Sequence, residues 1–425
     1  MPDSKAKEIV VLGGNLAGLG AVHFILRHTI PALQRLDKAS AYHVTLVTPN
    51  THFFFKPACP RALIQPSLLP DSKLWRPLSE ALGRYPADQV AHLQATATSV
   101  DPGKRSVTVT LRGSDESALG QQTISYDSLI IATGTTSHSP LWGLHDDQEL
   151  TPRTWESVRA ALASAKSVLI GGGGAVGVEL AGEIATVYPA VEITLVSGGP
   201  RLLTRVIPEA GGALAQKILE TQFRNVNVVH NVTVTGTTGG AGATAVALSD
   251  GGTQSVDLYI DATGATPNSQ FLPADWLDAT KRVISRDEFF RVRGNGTDDV
   301  EGVYAVGDVV AGSANSLMEL QATVLTVCTA VGADLAAKLK SGAVEAPKAP
   351  SLFQKLSAVL FGADVLQQKV YPPLQNTVMV PIGPSGGVGQ LFGWLVPGWF
   401  VKWAKGTSFL TEFIDPLIAG TKFSP

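Results

Sequence analysis

Residues Val168 to Ile184 read Val-Leu-Ile-Gly-Gly-Gly-Gly-Ala-Val-Gly-Val-Glu-Leu-Ala-Gly-Glu-Ile. Gly172, Gly174 and Gly177 form G-x-G-x-x-G, and the chemistry that spacing suits is the cradling of a dinucleotide diphosphate. The first glycine permits a tight turn, the second lets the pyrophosphate approach the backbone, and the third lets helix and strand pack closely. The helix N-terminus then faces the phosphates. The apolar run before the glycines reads as a buried strand, and the small and apolar residues after them as a helix. The rival reading is a glycine-rich turn that merely packs. Against it, a second unit of the same kind opens the chain: the strand Glu8 to Leu12, then Gly13-Gly14-Asn15-Leu16-Ala17-Gly18. Asn15 stands where the middle glycine would. Asparagine tolerates left-handed backbone better than most residues, so phosphate approach is expected to be tighter but still open.

Other chemistries are poorly represented. Cys59 and Cys328 are the only cysteines, too far apart for a C-x-x-C redox pair and too few for zinc. They read as free thiols of a reducing compartment. No Ser-His-Asp set, carboxylate pair or metal cluster is evident, and no metal is expected. A formal net charge of −3 with no block of Lys and Arg removes the electrostatic basis for nucleic-acid binding. The opening Met-Pro-Asp-Ser-Lys-Ala-Lys-Glu has no basic-then-apolar leader, and Pro2 stands where N-myristoylation needs glycine. A cytoplasmic protein is expected.

The elements that must position these glycines can be followed along the chain. At 425 residues, with 44% hydrophobic residues, two or three domains built on buried parallel strands are expected. His43 to Val47 reads as the second strand. The acid that usually holds a ribose hydroxyl would fall near Thr48, so Thr48, Asn50 or the backbone must serve instead. Thr51 to Leu63 is an aromatic, proline-rich loop carrying Lys56 and Arg61. It is either a packed connector or a wall against a flat anionic cofactor, with the arginine on phosphate. A β-rich piece, Val90 to Leu111, precedes an apolar strand ending Ala132-Thr133-Gly134. The second unit repeats the grammar with the strand Glu192 to Val196 and a strand ending Ala262-Thr263-Gly264. Two glycine fingerprints, each closed by an Ala-Thr-Gly strand, amount to a duplicated dinucleotide fold.

Thr266-Pro267-Asn268 marks the return to the first domain, followed by Val303-Tyr304-Ala305-Val306-Gly307-Asp308 and a helix from about Ser316 to Lys340. An aspartate so placed either caps the helix or accepts hydrogen bonds from a ribityl hydroxyl, and the helix N-terminus favours negative charge on a reduced flavin ring. Residues 341–350 read as a linker. Asn376 to Pro381 and Gly387 to Trp394 read as paired strands about Gly383-Pro384-Ser385-Gly386. Trp394, Trp399, Phe400 and Trp403 crowd together with Lys402 and Lys405. They read equally as an interfacial membrane contact or as a domain or homodimer interface, with Pro397 and the glycines opposing a spanning helix.

The fingerprints, both Ala-Thr-Gly strands and the Tyr-Ala-Val-Gly-Asp strand occur together in this order. The chain thus resembles the pyridine-nucleotide-dependent two-dinucleotide-domain flavoproteins. More narrowly it is similar to the apoptosis-inducing-factor-like quinone reductases that include ferroptosis suppressor protein, with type II NADH dehydrogenases as more distant relatives. The narrower likeness rests on Tyr188 to Leu195 and on Gly386 to Gly393. The resemblance implies an α/β fold of two Rossmann-like domains plus a small C-terminal α+β domain. Residues 1–150 and 269–340 would bind FAD, 151–268 would bind NAD(P)H, and 341–425 would form an interface or membrane-contact domain. It implies that Gly13, Asn15, Ala17 and Gly18 lie against the FAD diphosphate. Arg61, the backbone of Ala97, Gly134 and Asp308 would also touch FAD. Gly172, Gly174, Gly177 and Gly264 would cradle NAD(P)H, with Glu179 near the nicotinamide. Lys56 and Glu179 would position the reacting rings, and the helix beginning at Met318-Glu319-Leu320-Gln321 would lie beside the flavin.

After Val196 the chain reads Ser197-Gly198-Gly199-Pro200-Arg201, with no acid to bind a 2′-hydroxyl, which leans toward tolerating NADPH. The implied activity is hydride transfer from NADH or NADPH to FAD, then two electrons to a quinone-like acceptor. The cofactor carries that chemistry, and the protein supplies positioning. Alternatives are a biosynthetic oxidoreductase acting on an aromatic metabolite and a sulfide:quinone or disulfide reductase needing Cys59 and Cys328 together. A third is a non-enzymatic NAD(P)H-responsive redox-sensing or cell-death protein.

Overall fold

The structure, a computed structural model, describes residues 6–113, 118–145, 149–240, 243–294, 300–342, 365–374 and 376–424. Its first sheet is built on the strand Lys7–Leu12, whose Ile9, Val10 and Val11 are wholly buried. A run buried on both faces belongs inside a parallel sheet. Tyr42–Thr48 and Ser128–Ile131 flank it in parallel, and Val90–Asp101 and Val303–Ala305 extend it outward, again in parallel. Ser106–Arg112 and Ala118–Ser125 continue the long Val90–Asp101 strand as an antiparallel meander. The second unit centres on Ser167–Gly171 between Glu192–Ser197 and Leu258–Asp261, with Val226–His230 outermost, all parallel. A separate antiparallel sheet of Val234–Gly240, Ala243–Leu248 and Thr253–Val256 packs beside it.

The duplication extends to single hydrogen bonds. Gly13 N donates to Val47 O and Gly172 N to Val196 O, both at 2.8 Å. Ala132 N donates to Leu12 O and Ala262 N to Gly171 O, both at 2.8 Å. The aspartate before each Ala-Thr-Gly strand anchors the start of the central strand. Asp127 Oδ2 accepts from Glu8 N at 2.8 Å, and Asp257 Oδ2 from Lys166 N and Ser167 N at 2.7 and 2.9 Å. Where the chain leaves and re-enters the first unit, Thr135–Ser137 pairs antiparallel with Ala265–Pro267. Asn268 closes this seam, donating to Thr133 O at 2.9 Å while Thr133 Oγ1 donates back to Asn268 O at 2.6 Å.

Residues 51–63 are more ordered than the expected loop. They form a short strand His52–Phe54, one 3-10 turn Lys56–Ala58 and the helix Cys59–Ile64. Phe53, Phe54 and Phe55 are fully buried, and the Phe54 ring stacks at 4.4 Å on Trp75. The run of aromatics holds this stretch as core.

Val378–Pro381, Gly387–Leu391 and Trp394–Leu395 make the C-terminal antiparallel sheet, with the expected turn at Gly383 (φ +65°) and Gly386 (φ +153°). The expected linker, 341–350, lies outside the described residues from 343 onward. The C-terminal tail returns to the first unit, where the buried Phe423 ring lies on Gly20, 2.4 Å from where a Cβ would stand. Two segments, Leu16–Leu36 and the helix portion Leu317–Leu339, are long and apolar enough to cross a membrane, yet 78% of each apolar window is buried in the protein. Their helices pack together, Cys328 Sγ lying 4.0 Å from Ala21 O.

Candidate functional site

A cavity of about 850 Å³ opens beyond the carboxyl ends of the parallel strands of the first unit, the place where open α/β sheets bind ligands. Each strand end contributes: Gly13, Asn15 and Ala17 after the first, Thr48 and Asn50 after the second, Ala97 at a bulge of the third. Gly134 and Asp308 follow the two strands on the other side. Lys56 and Leu320 complete it, one from the 3-10 turn and one from the first turn of the helix Leu317–Gly342. Gly18 stands one turn further into its helix, against the Gly13 carbonyl.

Asn15 has φ −100° and ψ −159°, and Gly174, its counterpart, has φ −80° and ψ −174° with open space where a Cβ would stand. The middle position therefore lies in ordinary extended backbone, and asparagine is accepted there for that reason, not through left-handed tolerance. The first position does need glycine: Gly13 (φ +108°) and Gly172 (φ +121°) both hold left-handed backbone.

Three buried polar atoms on residues lining this cavity, Asn15 Oδ1, Asn50 Oδ1 and His145 Nε2, have no partner within the protein. Buried polar groups are otherwise nearly always satisfied, so the cavity fits a large polar ligand spanning from the glycine turn to the second strand. Lys56 Nζ donates to Asp308 Oδ2 at 2.6 Å on the cavity wall, and the Asp308 carbonyl accepts from Arg282.

Arg61 is not on this wall. Its guanidinium is buried in a bidentate bond to Glu183 at 2.5 and 2.8 Å, and Gln65 Nε2 adds a third bond to the same carboxylate at 2.7 Å. Within 51–63 only His52 and Lys56 reach the cavity. The structure thus places Arg61 away from the cavity and against Glu183, a carboxylate buried in the facing helix Ala175–Val187, where an unpaired charge would be costly.

In the second unit Gly172, Gly174 and Gly177 repeat the turn. Gly264 stands where a Cβ would meet the His138 ring at 3.1 Å. Ser197 Oγ donates to Arg201 O at 3.2 Å, and the Arg201 guanidinium folds back onto Ile207 O at 2.9 Å and Thr204 O at 3.2 Å. Arg201 thus holds its own loop together.

Glu179 is 3% exposed and receives Lys405 Nζ at 2.5 Å. Burial is the leading cause pushing its carboxyl above the ordinary range; the Lys405 ammonium pulls the other way, Glu183 pushes up and Arg61 pulls down. Cys59 and Cys328 are both free and buried, on different helices, and burial first of all pushes each thiol up. The sequence places Lys405 only in the tryptophan-rich segment and shows no link between it, Phe409 and the Glu179–Glu183 helix. The one signal was an acidic pair, Glu179 and Glu183, one turn apart in an otherwise apolar helix, where like charges repel unless each finds a cation.

At the far end, Trp394, Trp399 and Trp403 are 81%, 69% and 73% exposed. Phe400 sits between the latter two, with ring centroids at 6.0 and 5.5 Å.

Two parallel units with matching glycine turns, seamed together and each closed by an Ala-Thr-Gly strand, define a two-dinucleotide flavoprotein that binds FAD and uses NAD(P)H. The family model described as pyridine nucleotide-disulphide oxidoreductase matches residues 7–331, and the chain belongs to that family. It is 33% identical to the oxidoreductase phnG of Penicillium herquei over 97% of this chain and 96% of that one. It is 30% identical to the oxidoreductase ptaL of Pestalotiopsis fici, covering 95% and 96%. Apoptosis-inducing factor 1 of Saccharomyces cerevisiae is 23% identical, covering 97% and 98%. Among solved structures, the sulfide:quinone oxidoreductase of Aquifex aeolicus superposes with TM-score 0.65 at 17% identity, covering 98% of this chain and 92% of that one. NDH2 of Plasmodium falciparum gives TM-score 0.62 at 16% identity, covering 99% and 100%. These last two establish the fold alone.

Proposed function

We propose that this FAD- and NAD(P)H-dependent oxidoreductase delivers its two electrons to a diffusible quinone-like acceptor. The observation that carries the proposal is the state of the thiols. The only two cysteines are buried, free and on separate helices, so no internal dithiol relays the electrons, which supports delivery from the flavin directly to a small molecule. When bound, FAD accepts a hydride from NAD(P)H and gives up two electrons to the acceptor.

The chain's own part is binding, orientation and charge. Gly13, Asn15, Ala17 and Gly18 would hold the diphosphate, their open turn and helix N-terminus matching its shape and sign. Thr48 and Asn50 would meet the adenosine ribose, the backbone of Ala97 the adenine, and Gly134 the adjoining chain. Asp308 would accept from the ribityl hydroxyls, with Lys56 holding the carboxylate in place. Gly172, Gly174, Gly177 and Gly264 would cradle NAD(P)H, and Glu179 would stand on the nicotinamide side. Arg61, off the cavity wall, would serve instead to neutralise Glu183.

The test is anaerobic reduction of the bound flavin by NADH and by NADPH, followed by a panel of quinones and aromatic metabolites. Faster reoxidation by quinones than by any other class supports the proposal. Reoxidation by an aromatic metabolite alone favours the second reading, a biosynthetic oxidoreductase, which draws on the full-length likeness to the phnG and ptaL oxidoreductases. The exposed Trp394, Trp399 and Trp403 beside Lys402 would rest at a lipid interface, where indole rings and lysines both settle.

A further inference from the structure

The seam between the two units places one residue of the first at the turn of the second. Its register sets Ser137 against Ala265 and Thr135 against Pro267. One step beyond either end, Asn268 stands opposite Gly134 and His138 opposite Gly264. An antiparallel pair has a twofold between its strands, and that twofold exchanges these two positions. Asn268 N donates to Gly134 O at 3.0 Å, and the residue lines the flavin-side cavity. His138 occupies the matching place at the second glycine turn.

Its contacts agree. A Cβ on Gly264 would stand 3.1 Å from His138 Cε1 and 3.7 Å from each ring nitrogen, so the imidazole lies over the bare face of that glycine, with Nδ1 3.4 Å from Thr263 Oγ1. The same Ala-Thr-Gly stretch touches the first glycine of the fingerprint, since a Cβ on Gly172 would stand 2.6 Å from Ala262 O and 3.1 Å from Thr263 N. The strand leading to it, Leu258–Asp261, lies across Ser167–Gly171 from Glu192–Ser197. His138, an exposed residue, therefore stands away from the adenosine end of the cradle.

The second turn also carries a charge that the first lacks. Asp261 ends its strand where Ile131 ends the counterpart, and its Oδ1 accepts from Thr263 N at 2.8 Å and from Thr263 Oγ1 at 2.5 Å. A carboxylate beside a diphosphate cradle opposes the incoming anion, and a cation at the same turn offsets it. With its proton given to Asp261, Thr263 Oγ1 faces the ring as an acceptor, which makes Nδ1 the donor there. Nε2 can then bond a phosphate oxygen as a donor only when the ring is an imidazolium.

We propose that His138 reaches from the flavin-side unit to bind the nicotinamide-side phosphate of NAD(P)H, taking up a proton as the nucleotide arrives. The proposal rests on the reading given above of the second glycine turn as the NAD(P)H cradle. The charged group facing the ring is Asp261, one residue away through Thr263. Beside Asp261 is the Tyr259 phenol, held neutral because burial first, and Asp261 second, push it up to about 12. Gly171 to Gly174 and Ser137 to Trp142 bring no other charged side chain.

The experiment is isothermal titration of ADP-ribose into the full-length holoenzyme, in buffers of different ionisation enthalpy, which reads affinity and proton uptake together. Where NADPH is the better reductant, the 2′-phosphate of ADP-ribose is used. Wild type should take up protons on binding, and its affinity should fall as the pH rises from about 6 to about 8. His138→Gln should bind about tenfold more weakly at the lower pH, with no proton uptake. His138→Lys, charged beforehand, should come within about threefold of wild type, also without proton uptake. 5′-AMP, which lacks the nicotinamide-side phosphate, should bind wild type and His138→Gln alike within about twofold. Equal ADP-ribose affinity and proton uptake in wild type and His138→Gln overturns the proposal, as does an equal loss of AMP and ADP-ribose binding. Gly177→Ala separates this from failure of the underlying reading: if that variant also binds ADP-ribose as wild type does, the second turn is not the nucleotide cradle, and the proposal falls with it.

Discussion

A Cβ on Gly18 would stand 1.7 Å from the Gly13 carbonyl oxygen, and one on Gly177 would stand 1.9 Å from that of Gly172. The helix of each unit is packed onto its own turn as closely as backbone allows, and no rotamer change can relieve a clash with a carbonyl. Gly18→Ala should therefore open the first turn, at a stability cost of about 1–3 kcal/mol, and yield protein with little bound flavin. Gly177→Ala should leave the flavin in place and raise KM for the nicotinamide nucleotide about tenfold or more. Flavin absorbance per protein and steady-state kinetics separate the two outcomes, and equal flavin loss in both variants would contradict the assignment of one cofactor to each turn.

Arg61 and Glu183 form a pair in which both side chains are almost wholly buried. Arg61→Met leaves a buried carboxylate with only Gln65 and should cost about 3–5 kcal/mol. Arg61→Met with Glu183→Leu should recover most of that, since removing both charges spares their desolvation. Urea denaturation of the single and double variants measures the coupling. Flavin binding in the double variant should match wild type, because neither residue reaches the cavity.

His23 supplies a pH dependence of stability. It is fully buried, its Nδ1 shares a 2.6 Å hydrogen bond with the Tyr85 hydroxyl, and burial, followed by Arg84 and Arg27, lowers its pKa to about 3. The unfolded chain binds this proton below about pH 6.5 while the folded chain refuses it down to about 3, so stability falls with pH across that window. At about pH 4.5 the loss from this one group is of order 2–3 kcal/mol. His23→Asn keeps a hydrogen-bond partner for Tyr85 and should flatten that part of the profile, as thermal melts from pH 7 to pH 4 would read.

If the exposed tryptophans meet a lipid surface, Trp399→Ser with Trp403→Ser should abolish co-sedimentation with vesicles containing anionic lipid. Oxidation of NAD(P)H with a water-soluble acceptor should be unchanged. Wild-type protein that stays in the supernatant, yet forms a dimer by analytical ultracentrifugation that the double variant lacks, would assign the patch to a second copy of the chain.

The architecture was legible wherever local pattern and tertiary role coincide. Buried parallel strands read as continuous apolar runs, and the turns at Gly13 and Gly172 demand glycine for reasons of backbone conformation alone. Both Ala-Thr-Gly strands, the Gly383 to Gly386 turn and the long helix after Asp308 follow from the same short-range logic. What escaped was decided by contacts far apart in sequence. Arg61 and Glu183 are separated by 122 positions, and nothing near Arg61 in the chain shows that a carboxylate from the other unit will claim it. Lys405 reaches Glu179 across 226 positions, from a segment whose tryptophans are exposed. The stretch from Thr51 reads as a loop because its prolines and aromatics suit an irregular wall; buried, the same rings anchor a strand and a helix.

The seam of Thr135–Ser137 with Ala265–Pro267 bears on how such a protein could arise and be rebuilt. Because departure and return lie side by side, the intervening hundred-odd residues form a cassette whose two ends meet. A cassette from another member of the family could be grafted at these six positions while every strand of the flavin-side sheet keeps its neighbours. Chimeras cut at the seam would then exchange nucleotide preference as a block, which point changes around Ser197 and Arg201, tied as they are into one self-bonded loop, would struggle to do.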